Sequence, residues 1–131
     1  MKFDLSDLPH FLKIQGKTIA RGIVKGIDQR ESLDGGPQKS NAPSTVRKKG
    51  HDHPLIGGAH DSPQLSREAN YNVTMSKPNE VQISIKPIRA AAGVYVERKG
   101  YKFFGITKLA SKIVLANWDR YVRGKVRRMF D

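Results

Sequence analysis

The sequence predicts an α+β domain: a small antiparallel sheet flanked by an N-terminal and a C-terminal helix, with a long extended arm or loop. Three observations predict it. Apolar residues recur at helical spacing near both ends, over 5–28 and 106–129. Residues 71–85 alternate apolar and polar side chains around a break at Lys77-Pro78-Asn79, the pattern of a half-buried hairpin. Residues 29–66 show neither period and are punctuated by Gly and Pro. At 131 residues the length fits a single domain, 1–131, with one modest core.

The first helix rests on Leu5, Leu8, Leu12, Ile19, Ile23 and Ile27, which lie near one face with Phe11 at its edge. Ser6 or Asp7 stands where a cap belongs, and Pro9 is tolerated only in a first turn. Gly16, Gly22 and Gly26 each lower helix propensity by about 1 kcal/mol relative to Ala. With Ala20 they could form a small-residue face that lets another backbone approach. The plainer expectation is a weak helix held by packing.

The next span carries Gly35-Gly36-Pro37, Pro43, Gly50, Pro54, Gly57-Gly58 and Pro63. Only 44–49 looks like a helical turn, capped by Ser44 behind Pro43. A span this long without its own regular structure tends to be functional or to order on binding. The expectation is an arm that reaches a neighbour and contributes little to the isolated fold; the other outcome is a solvated loop.

Residues 64–69 suit one helical turn. Tyr71, Val73 and Met75, then Val81, Ile83 and Ile85, form the two hairpin strands, and Pro87 ends the second. Val94 and Val96 suggest a third strand, so the strands are placed over 70–98. The last helix starts from Thr107 as cap, behind Gly105. Its apolar stripe is Leu109, Ile113, Ala116 and Tyr121, widened by Ala110, Val114, Trp118, Val122 and Val126. Leu12, Ile19, Ile23, Val73, Val81, Ile83, Ile85, Val94, Phe104, Leu109, Ile113 and Val122 are the expected core.

The net charge is +12, with a pI near 10.2. Such an excess suits nucleic acid, an anionic surface or an acidic protein. On the last helix Lys108, Lys112, Arg120, Arg123, Lys125, Arg127 and Arg128 face only Glu97, Asp119 and Asp131. The expectation is a face without i,i+4 partners, which is either solvated or set against an acidic neighbour. There is no cysteine, which removes disulfides, thiol chemistry and cysteine-ligated zinc together. No apolar run approaches the roughly 20 residues of a membrane span, and the first residues lack the apolar segment of a signal peptide.

Chemistry-bearing clusters are few. His51-Asp52-His53 with His60 and Asp61 have metal-ligand character, yet a catalytic metal needs about three ligands on rigid elements. These residues sit in the least regular stretch, so no metal or cofactor is expected. GGPQKS and GGAHDS lack a phosphate-loop pattern, and no carboxylate pair or activated serine is visible. An enzyme is not expected. Arg98, Lys99, Tyr101, Lys102, Phe103 and Phe104 interleave cations with aromatics, which can stack bases and neutralise phosphates. Phe103-Phe104 just before a helix is more often a core plug.

Two segments, STVRKKGHDHPLIGG at 44–58 and YKFFGITKLASKI at 101–113, appear in order after an N-terminal helix and around strands. As a set they resemble the tail-completion or virion-morphogenesis family of tailed bacteriophages, which overlaps with tail terminator and head–tail joining proteins. Glu97 and Gly100 stand for the acidic residue and glycine many members place before the aromatic motif. GGAHDSPQL departs from their Thr-Gly-x-Leu segment. The resemblance implies a non-enzymatic virion subunit forming a homo-oligomeric ring, commonly a hexamer, at the head-proximal end of the tail tube. Implied partners are its own copies, the tail tube and the head-connector or neck proteins, with transient contact with genomic DNA in the lumen and no membrane. The implied location is the virion, after assembly in the host cytoplasm. The interface candidates are Arg47, Lys48, Lys49, Leu55, Ile56, Lys102, Arg120, Arg123, Arg127 and Arg128. The alternative is a basic, non-enzymatic nucleic-acid-binding module; a third reading is a metal-dependent nuclease using the histidine cluster.

Overall fold

The computed structural model describes residues 4–41, 43–49 and 65–130. The elements are α1 (Leu8–Asp28), α2 (Pro43–Lys49), a 3₁₀ turn (Glu68–Asn70), β1 (Tyr71–Lys77), β2 (Glu80–Ile85), α3 (Pro87–Arg98) and α4 (Lys108–Met129). This is an α+β fold. β1 and β2 form an antiparallel hairpin that pairs Tyr71 with Ile85, Val73 with Ile83 and Met75 with Val81. The register slips between Met75 and Lys77, next to the Pro78-Asn79 turn.

α1 is the middle of the molecule, packing on both strands and on α4. Ala20, Ile23 and Ile27 meet Leu65, Tyr71 and Phe103 in the buried cluster, with Val24, Val73, Ile83, Ile85, Val96 and Tyr101 around it. Ile23 is 1% exposed. Small residues make this central position possible. A Cβ on Gly16 would stand 2.7 Å from methyls of both Val73 and Val81, and one on Gly22 would stand 2.9 Å from Ala110 Cβ. The small residues therefore allow close packing, but on two sides of α1 rather than on one face: Gly16 toward the hairpin, Gly22 and Gly26 toward the start of α4.

The third strand does not form; Val94 and Val96 lie in α3. Pro87 suits a first helical turn, Ala90, Ala91 and Ala92 are strong helix formers, and two alternating valines are too short a pattern to outweigh them. Gly100, at φ +95, then ends the helix: Tyr101 N–H donates to Val96 O and Gly100 N–H to Glu97 O, a Schellman closure. α1 closes the same way, with Glu31 N–H on Gly26 O and Arg30 N–H on Ile27 O, although Arg30 must take φ +58 to do so.

The first part of the expected arm is docked. Ser32 N–H donates to Gly36 O, Asp34 accepts from Gly36 N–H and the Ser32 hydroxyl, and Glu31 bridges Pro37. Leu33 N–H then donates to Lys102 O, and Lys108 N–H to Leu33 O. Buried Gln38 donates through Nε2 to Lys102 O at 3.1 Å and accepts Lys102 N–H at 3.3 Å. Residues 31–41 thus belong to the isolated fold, because their polar groups find partners on 99–108. Residues 44–49 are helical as expected, within α2. Leu55, Ile56 and the histidine cluster at 51–53 and 60–61 lie outside the described residues.

Candidate interaction surfaces

The seam between α1 and α4 is antiparallel and partly polar. Asp7 occupies the cap position of α1, but its carboxylate makes no capping bond. Instead it accepts from Lys125 Nζ at 2.7 Å and from the Tyr121 hydroxyl at 2.9 Å. The hydrogen bond from Lys125, then that from Tyr121, holds the Asp7 carboxyl below its usual range. Burial, then the Asp7 bond, pushes the Tyr121 phenol up. Further along, Phe11 stacks on Tyr121 at 4.3 Å between centroids and reaches Trp118 at 6.0 Å. Asn117 Nδ2 donates to buried Gln15 Oε1 at 3.0 Å. Gly22 meets Ala110 at the far end.

This seam rotates α4 away from the expected orientation. The buried positions are Ala110 and Lys125, with Val114, Asn117 and Tyr121 half-buried between them. Lys125, expected on the cationic face, is 7% exposed. Leu109 and Ile113, expected in the core, are 50% and 42% exposed, and Val94 and Phe104 are also exposed. Phe103 takes the core position instead. Polar partners on α1 explain the rotation: Asp7 and Gln15 select Lys125, Tyr121 and Asn117.

The aromatic turn before α4 is organised by Glu97, whose Oε1 accepts from Phe104 N–H at 3.1 Å and Phe103 N–H at 3.4 Å. Thr107 caps α4 as expected, its Oγ1 accepting from Ala110 N–H at 3.2 Å. Tyr71, whose buried phenol is pushed upward, donates to Leu65 O at 2.6 Å and lies parallel to Phe104.

The predicted interface residues among those described lie at three places. Arg120, Arg123, Arg127 and Arg128 are exposed along the second half of α4. Arg123 pairs with Asp119 at 3.0 Å, four residues earlier, so the face does contain an i,i+4 pair, and Arg120 donates to Asn117 Oδ1. Lys102 is exposed, and its main chain holds Gln38. Arg47 is exposed on α2, which also carries Lys48 and Lys49. Two features were not read from the sequence. One is the set of exposed apolar side chains along α4, with Leu115 64% and Phe130 74% exposed beside Trp118 and Val126. The other is a groove of about 250 Å3 between α1 and the start of α4, lined by Thr18, Arg21, Lys25, Lys108, Leu109 and Ile113 among others.

Among the described residues no group of His, Asp and Glu is placed to hold a metal ion, and no helix is long and apolar enough to cross a membrane. The fold and its surfaces define a small basic α+β domain. Comparison with family models, with curated proteins and with solved structures returned no match.

Proposed function

We propose that this protein is a non-enzymatic structural subunit that assembles with its own copies. In the form the motif resemblance suggests, it is a ring at the neck or tail of a bacteriophage, joining tail to head. The supporting observation is the apolar run Leu115, Trp118, Val126 and Phe130 along α4, with Val122 between them. A monomeric domain seldom leaves so contiguous an apolar strip uncovered, whereas a subunit interface buries it. The motifs at 97–107 act as fold builders: Glu97 holds the turn, Phe103 fills the core and Thr107 starts α4. The exposed arginines of α4 then suit acidic neighbours, and bidentate pairing would set register and orientation.

Light scattering and negative-stain imaging of the purified protein test this. Rings that fail to form in Leu115→Ser/Val126→Ser, with the low-concentration melting temperature unchanged, support the reading. The surplus of exposed Arg and Lys favours the second reading, a nucleic-acid-binding module. A strict monomer that binds DNA with a steep loss on adding salt would establish that instead.

A further inference from the structure

We infer that the groove between α1 and α4 docks an acidic segment of another protein, anchored by one or two large apolar side chains. The groove holds about 250 Å3 and is open to solvent along one side. It exists because Gly22 and Gly26 present no side chain there. Leu109 and Ile113 form apolar walls left half exposed. Such a channel takes the apolar edge of an amphipathic helix or turn.

Charge selects the occupant. Arg21, Lys25 and Lys108 line the groove, with Glu31 the only acidic lining residue among the described residues. Arg21 already pairs with Glu68 at 3.2 Å. Lys25 and Lys108 have no carboxylate within salt-bridge distance among the described residues. The N-terminal end of α4 adds its partial positive charge at the same place. A second copy would have to offer the groove an acidic apolar segment, and its Lys and Arg outnumber its Asp and Glu 24 to 12. Duplex DNA supplies phosphates but no apolar group to cover Leu109 and Ile113. Carboxylates beside a large apolar side chain satisfy walls and rim together. The inference does not depend on the ring reading, which concerns the other flank of α4.

Fluorescence anisotropy with a labelled Leu/Glu amphipathic peptide of roughly 16 residues tests it, alongside the same peptide with Lys for each Glu. The full chain is expected to bind the first and not the second. Leu109→Ser/Ile113→Ser and Lys25→Glu/Lys108→Glu should each weaken binding at least about tenfold, with unchanged circular-dichroism melts. The charge-reversed variant should gain binding to the Leu/Lys peptide. Equal binding by wild type and variants, or preference of the wild type for the Leu/Lys peptide, would overturn the inference. So would full displacement of the peptide by duplex DNA. A self-association that Leu109→Ser/Ile113→Ser abolishes in sedimentation would also overturn it, giving the groove to a second copy. No peptide binding by a chain that forms rings defeats this inference alone, and peptide binding by a strict monomer defeats the ring reading alone.

Discussion

Gly16 and Gly124 are both helical glycines, and the fold treats them oppositely. Gly16 is wedged against valines of two strands, while a Cβ on Gly124 would meet nothing within 4 Å. Gly124→Ala should therefore gain up to about 1 kcal/mol of helix propensity. Gly16→Ala must force Val73 and Val81 apart, and overpacking of this kind costs about 1–3 kcal/mol. Urea unfolding of the two variants should rank Gly124→Ala above wild type and Gly16→Ala below it. Ile23 and Ile113 form a second contrast. Truncating buried Ile23 to Ala should cost about 2–5 kcal/mol, whereas Ile113→Ser should stay within about 0.5 kcal/mol of wild type. Asp7 sets a pH signature. Its carboxyl titrates below the usual 3.8 in the folded state, so the stability it contributes is present above that value and lost as pH falls through the folded one. Asp4 and Asp34 are shifted in the same direction, Asp34 chiefly by the Ser32 hydroxyl. Stability against pH should thus be flat in these groups from about pH 5 to 8 and fall below about 4. Asp7→Asn should flatten part of that acid fall in urea titrations at each pH.

At the scale of elements, the connections carry more of the fold than their composition suggests. Gln38 presents an amide to the Lys102 peptide much as a neighbouring strand would, and it is buried. Gln38→Ala leaves the Lys102 N–H without its partner and the Lys102 C=O with Leu33 N–H alone, and should cost about 1–3 kcal/mol. Deleting 35–58 removes this clamp with the turn at Gly35, so the deletion should melt well below wild type rather than leave an intact monomer. Thr107→Ala removes the cap of the longest helix and should cost about 1 kcal/mol, while Thr107→Ser should restore most of it. Thermal melts of the three Thr107 forms decide this point.

For the whole molecule, the arrangement leaves apolar surface on both flanks of α4. The strip from Leu115 to Phe130 and the pair Leu109 and Ile113 lie on either side of the seam that α4 makes with α1. If the first strip is a subunit interface, the melting temperature should rise with protein concentration, by mass action on the assembled state. Leu115→Ser/Val126→Ser should remove that dependence and leave the low-concentration melting temperature in place. A melting temperature independent of concentration in the wild-type chain would count against assembly through this strip.

Much of this architecture was legible in local pattern. The period of the apolar residues in 5–28, the alternation across 71–85 and the Pro78-Asn79 break determine α1 and the hairpin, because each pattern buries one face only in that geometry. Thr107 marked a helix start for reasons within one turn of chain, whereas Ser44, the expected cap of the next helix, lies inside α2, which starts at Pro43. α3 is also legible, since Gly100 is a helix stop and Ala90-Ala91-Ala92 favours a helix, against only two valines in alternation. The rotation of α4 was not legible. Its apolar residues ring most of the helix, so hydrophobicity alone leaves the buried face undetermined. That choice was made by Asp7, Phe11 and Gln15, some hundred residues away, which pull Lys125, Tyr121 and Asn117 inward. The groove follows from the same choice. Gly22 and Gly26 announce small size but not what approaches them, and only the seam with Ala110 turns their missing side chains into a cavity walled by Leu109 and Ile113. Composition and local period thus determined α1, the hairpin, the start of α4 and the surplus of positive charge. Tertiary contacts between distant polar and small residues decided which apolar side chains face water, and so where partners can bind.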